Sequence, residues 1–154
     1  MTGLVPPDSA APDGILTDET GTQRLLGYVL DVGQGDGRAR CRMLVGPQHL
    51  NRQGILHGGL AATLLDNALG ATASLSADDT GMVRFSTVTL NVDFLSPGLP
   101  GPVEAIGQLK GGGRKLVFVE GTLHHADGTL IATASGVFRR ASGVVHPAAN
   151  GEQT

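Results

Sequence analysis

The chain has no tryptophan, one tyrosine and one cysteine in 154 residues, and no excess of positive charge. Each shortage excludes something. A net charge of −3 gives no broad basic field for nucleic acid, and so few aromatics leave no platform for unstacked bases. The lone Cys41 forbids an internal disulfide and fits a reducing, cytoplasmic setting. The opening MTGLVPPDSAAPDG lacks the basic start and apolar core of a signal peptide. The longest apolar run holds an Asp, an Asn and several small polar residues, so it reads as protein interior rather than as a membrane span. No G-x-S-x-G is present, which argues against an α/β-hydrolase esterase. Gly33-x-Gly35-x-Gly37 lacks the spacing and the strand–helix setting of a dinucleotide loop. His124-His125-x-Asp127 has metal-binding residue types. It sits at an expected turn, however, and adjacent strand histidines point to opposite faces, so no metal site is expected.

What is there centres on one carboxylate. From Gly58 the chain reads GGLAATLLDNALGATASL, in which Asp66 is the only charged residue. Apolar residues recur at Leu60, Leu64, Ala68, Ala71 and Leu75, and again at Ala61, Leu65 and Leu69. This is helical spacing on nearly every face and predicts a largely buried helix. A carboxylate in such a place is costly unless it is paired or used. His57-Gly58-Gly59 opens the helix, and a helix N-terminus with no Cβ in the way is an anion and oxyanion site.

Around this helix the pattern is of strands. Residues 25–32 and 38–45 flank a glycine-rich turn and read as a hairpin. Residues 86–94 alternate cleanly, with Val88, Leu90, Val92 and Phe94 on one face and Thr87, Thr89, Asn91 and Asp93 on the other. Residues 103–110, 115–124 and 129–139 complete the set, with turns at Gly111-Gly112-Gly113 and Asp127-Gly128. Two strands, a long helix and four strands with short gaps predict an α+β domain, an antiparallel sheet of about six strands wrapped around one central helix. The domain spans residues 23–141, between a flexible arm over 1–22 and a loose tail over 142–154.

Asn51-x-x-Gly54-x-x-His57-Gly58-Gly59 followed by Thr63-Leu64-Leu65-Asp66 resembles the hotdog-fold acyl-CoA thioesterases of the phenylacetate-pathway (PaaI-like) branch. Support comes from Leu90-Asn91-Val92-Asp93-Phe94-Leu95-Ser96-Pro97, from Gly113-Arg114-Lys115 and from Gly128-x-Leu130-Ile131-Ala132. The resemblance implies a hotdog fold and hydrolysis of acyl-CoA thioesters with neither metal nor cofactor, CoA being part of the substrate. It also implies dimers paired into tetramers, and favours an aromatic acyl group. It implies further that Asn51 lies near the attacking group, that His57 steadies the loop and the thioester sulphur, and that Thr87 holds a water beside Asp66.

The residues suggest a mechanism. Asp66 is expected as nucleophile or general base, and the Gly59 N–H as oxyanion donor with Gly58 permitting close approach. Seven residues put Asp66 and Gly59 on one face but roughly 10 Å apart along the axis, too far for one thioester carbon to reach both. The site is therefore expected to combine two subunits. Arg114 and Lys115, after Gly113, are expected to meet CoA phosphates, with Arg139 and Arg140 weaker candidates. A non-catalytic acyl-CoA-binding module is the alternative, which loss of Asp66 would have favoured. A hotdog hydratase or dehydratase fits less well, because its histidine and carboxylate belong to a different motif.

Overall fold

The computed structural model describes residues 13–142. Four long strands follow the central helix as expected: β4 (Phe85–Phe94), β5 (Gly101–Gly112), β6 (Leu116–His125) and β7 (Leu130–Arg140). Before the helix come β1 (Ile15–Leu16), α1 (Gly21–Leu26), β2 (Val29–Asp31) and β3 (Arg40–Val45). The strands form one antiparallel sheet in the order β1-β2-β3-β5-β6-β7-β4, with α2 (Gly58–Ala77) against its inner face.

Two expectations change at the N-terminal side. The sheet has seven strands, because Ile15–Leu16 pairs with β2 inside what read as a flexible arm. The segment that read as the start of a hairpin strand begins as a helix. Thr20 caps α1 by accepting the Gln23 N–H, and Gly27 ends it in the left-handed region, φ 81°. The remainder of the arm, residues 1–12, lies outside the described residues, as does the tail beyond residue 142. The β2–β3 loop is anchored by Asp31, which is 1% exposed. Burial pushes its carboxyl up, but hydrogen bonds from Gly33, Gln34 and Arg42 outweigh this and hold it below the usual carboxylate range.

The helix is less enclosed than its spacing suggested. Ala61, Leu64, Leu65, Ala68, Leu69, Thr72, Ala73 and Ser74 are buried, while Thr63, Asp66, Asn67, Gly70 and Ala71 form a half-buried flank. Leu64, Leu65, Leu69, Leu123 and Phe138 are fully buried in the core, each contributing about 1.5–3 kcal/mol of transfer free energy. Close approach of helix to sheet depends on Gly107 and Gly121, which pair across β5 and β6; a Cβ on them would strike Thr72 and Leu69 respectively. Cys41 is in this core, fully buried, and burial pushes its thiol up to about 12.

Candidate active site

At the helix start the backbone is held by local bonds. Asn51 Oδ1 accepts the N–H groups of Gln53 (2.9 Å) and Ile55 (3.4 Å), closing the loop that leads into α2. His57 is the N-cap, and its Nδ1 accepts the Gly59 N–H at 3.0 Å. This corrects one expectation: the Gly59 amide is already engaged by the cap. The His57 carbonyl takes the amides of Leu60 and Ala61. Among the first four amides of α2, only that of Gly58 has no acceptor among the described residues. Gly58 and Asn51 line a cleft of about 370 Å³ closed on one side by Phe94, whose ring lies within 3.4 Å of where a Gly58 Cβ would be.

His49, which the sequence did not single out, braces the same region. It is buried, its Nδ1 accepts the Gly46 N–H at 3.0 Å, and its Nε2–H donates to the Leu26 carbonyl at 2.8 Å. Its backbone carbonyl accepts the His57 N–H at 2.9 Å, so the cap is tied to α1 through one imidazole.

Asp66 sits two turns along, half-buried rather than enclosed, and its Oδ1 accepts the Thr87 hydroxyl at 2.7 Å. Plain alternation would have turned Thr87 outward with Thr89. A register shift between Thr87 and Thr89 inserts Val88 as an extra residue, left 54% exposed, and this bulge turns Thr87 onto the helix while Leu90 and Val92 still face the core. Beside them Tyr28 donates to Asn67 Oδ1 (3.3 Å), and Asn67 Nδ2 donates to the Thr63 carbonyl (2.8 Å). Burial pushes the Tyr28 hydroxyl above its ordinary value. Asp66, Thr87 and Tyr28 line a chamber of about 500 Å³ that shares no residue with the Gly58 cleft. The two halves of the expected chemistry are therefore separate on one chain. Tyr28, 39 residues from Asn67, had no local signal beyond being the only tyrosine.

Gly113, Arg114 and Lys115 form the exposed tip of the β5–β6 hairpin, with the Gly113 N–H donating to the Leu116 carbonyl at 2.8 Å. The Arg140 N–H donates to the Lys115 carbonyl at 2.8 Å, and Arg139 pairs with Leu116, so the four basic residues gather at one end of the sheet. That end adjoins the chamber through Arg84 and Ala141, which line it. His124 bonds Thr122 and His125 accepts the Leu99 N–H, so the histidine pair is occupied by structure. Among the described residues no three His, Cys, Asp or Glu side chains are placed to hold a metal, and no helix is long and apolar enough to cross a membrane.

Residues 53–132, from the loop before α2 into the start of β7, match the thioesterase superfamily. The chain belongs to that superfamily. It is 34% identical to human acyl-coenzyme A thioesterase 13 over 119 residues, covering 76% of this chain and 83% of the human one. A Bacillus halodurans protein solved with CoA superposes with a TM-score of 0.73 at 27% identity over 81% of each chain. The Escherichia coli PaaI protein of the phenylacetic acid degradation operon superposes with a TM-score of 0.69. At 23% identity over 82% of this chain and 88% of PaaI, this is a likeness of fold. The thioesterase-superfamily member described here is thus a hotdog-fold α+β protein and a thioester hydrolase.

Proposed function

We propose that this thioesterase hydrolyses acyl-CoA at a site shared between two copies of the chain, Asp66 and Thr87 from one and Gly58 and Asn51 from the other. The observation that carries this is the separation of the half-sites: the free amide of α2 and its carboxylate line different cavities, about 12 Å apart along the axis. Strand β4 offers the means of joining them. It is ten residues long and lies at the sheet edge, with Val88, Phe94 and the following Leu95 more than half exposed. Thr87 stands beside Asp66, and Phe94 beside Gly58. If two β4 strands pair antiparallel about a twofold axis near Leu90, each Phe94 end meets the other copy's Thr87 end. Each Gly58 amide then faces the other copy's Asp66.

In this site the Gly58 N–H, at the positive end of α2, stabilises the oxyanion that forms on the thioester carbonyl. Asp66 either takes a proton from a water whose oxygen attacks the carbonyl carbon, or attacks directly and is freed by water afterwards. In both routes the carbon–sulphur bond breaks, CoA leaves as thiolate and takes up a proton, and the free acid is released. Thr87 fixes the carboxylate oxygen that it bonds. His57 positions the helix start by capping Gly59, and Asn51, with Nδ2 unpartnered among the described residues, lines the cleft where carbonyl and leaving group meet. Arg114 and Lys115, exposed at the hairpin tip, meet the CoA phosphates in this reading. This reading calls on these side chains, the Gly58 amide and a water. Assembly beyond the dimer and a cytoplasmic location belong to the same reading.

The test is release of free thiol from short, medium and long straight-chain acyl-CoAs, phenylacetyl-CoA and a hydroxybenzoyl-CoA, wild type against Asp66→Asn. Turnover that falls ~100-fold or more in the variant supports the proposal. Tight binding without turnover in the wild type would instead identify an acyl-CoA-binding module.

A further inference from the structure

The loop that leads into α2, residues 46–57, is closed on itself. Leu50 bridges Leu56, the Asn51 N–H donates to the Ile55 carbonyl at 2.8 Å, and the His57 N–H donates to the His49 carbonyl at 2.9 Å. Such closure fixes the loop's shape but not its place. Two bonds to distant segments place it. The Leu56 N–H donates to the Gly98 carbonyl at 2.7 Å, beyond β4, and the His49 ring reaches the Leu26 carbonyl at 2.8 Å, at the end of α1. Among the described residues, the second is the only side-chain hydrogen bond from this loop to a distant element.

The partners of the His49 ring fix its tautomer. The Gly46 N–H can only donate, so Nδ1 is bare, and the Leu26 carbonyl can only accept, so Nε2 carries the proton. That carbonyl lies at the C-terminal end of α1, where the helix itself offers no donor. With the residue 2% exposed and both ring nitrogens spent, His49 has no capacity left for a ligand. Its place is what matters. On one side Asn51 follows two residues later, and Gly58 follows the cap that His49 holds; both line the cleft. On the other side Tyr28, two residues beyond Leu26, lines the chamber and donates to Asn67, next to Asp66. One imidazole thus stands between the two cavities of a chain.

We infer that His49 is a positioning residue for the reaction: through Nε2–H it sets where the Gly58 amide and Asn51 stand relative to the chamber wall, without touching substrate. This rests on the role proposed above for Gly58 and deepens it. Two substitutions separate the ring nitrogens. His49→Asn offers an amide oxygen where Nδ1 accepts and leaves the Leu26 carbonyl without its donor. His49→Gln offers an amide N–H near the place of Nε2.

Both are assayed for thiol release well below their melting temperatures, with folding checked by circular dichroism. His49→Asn is expected to lower kcat by about tenfold or more, with KM little changed and by the same factor on short and long esters, and His49→Gln to keep most of the rate. The decisive readout is the double variant. Added to Gly58→Pro, His49→Asn should cost little more, because the amide that it positions is already gone. Wild-type kcat in His49→Asn, or losses that multiply in the double variant, would overturn the inference. Nuclear magnetic resonance of the ring nitrogens in labelled wild-type protein tests it with no variant at all: a proton on Nδ1, or on both nitrogens, overturns it, because the Gly46 bond could not then form. Loss of turnover in Gly58→Pro but not in His49→Asn leaves the proposed function standing and removes only this inference. Full turnover in Gly58→Pro removes both.

Discussion

The start of α2 and its middle are built by different means. At the start, the side-chain hydrogen bonds that shape the loop are short-range, Asn51 to Gln53 and Ile55, and His57 to Gly59, while His49 reaches across to α1 and Phe94 closes the cleft from β4. At the middle, the hydrogen bonds that Asp66 and Asn67 accept join distant parts of the chain: Thr87 to Asp66 over 21 residues and Tyr28 to Asn67 over 39. The backbone of the first half-site is set within one loop, and the second half-site by the finished fold. A motif can specify the first, whereas only correct strand register delivers the second.

The sharpest way to break this contrast is to disable each half separately. Gly58→Pro removes the free amide at the first helical position, where proline is tolerated, and His57 already has the extended backbone that precedes proline (φ −59°, ψ 131°). We expect turnover to fall by ~100-fold or more with helix content unchanged, and Gly58→Ala, which keeps the N–H, to lose far less. Rates and far-ultraviolet circular dichroism on the pair decide it. Mixing Gly58→Pro with Asp66→Asn tests whether the halves meet between chains. Random dimers with one intact site each should recover about a quarter of wild-type activity, and subunit exchange without recovery would place both halves in one chain.

Smaller effects sharpen the comparison. Thr87→Val should lower kcat by about tenfold through the loss of one hydrogen bond to a charged group, while Thr87→Ser retains most of the rate. Gly70→Ala should instead raise stability. An added Cβ meets the Phe138 ring at 3.5 Å, an ordinary contact, so helix propensity should raise stability by ~0.5–1 kcal/mol, read as a higher melting temperature. The same methyl narrows the chamber beside Asp66, so bulky esters should lose turnover while short ones keep it.

The helix and the four strands after it were legible because each carries a strong period and firm punctuation: Gly58 at one end of α2, and glycine turns between the strands. The helix α1 was missed although Thr20, Gln23 and Gly27 mark both of its ends, because Leu25 and Leu26 run into the apolar stretch of β2. The enclosure of Asp66 was over-read, since a run of alanines and leucines on every face does not distinguish a core from a flank that lines a chamber. Gly59 was preferred to Gly58 because spacing cannot show that His57 turns back to cap the second glycine. The bulge at Val88 was invisible for a plainer reason: a valine in step with Leu90 and Val92 looks like core, and only pairing with β7 shows that it is the extra residue.

Cys41, enclosed in the core with its thiol held protonated, is the chain's only cysteine. The proposed reaction liberates a free thiol at every turnover. Under oxidising stress such a product readily forms mixed disulfides with thiolates it can reach. This protein presents it with none, so it can work beside its own leaving group without being captured by it.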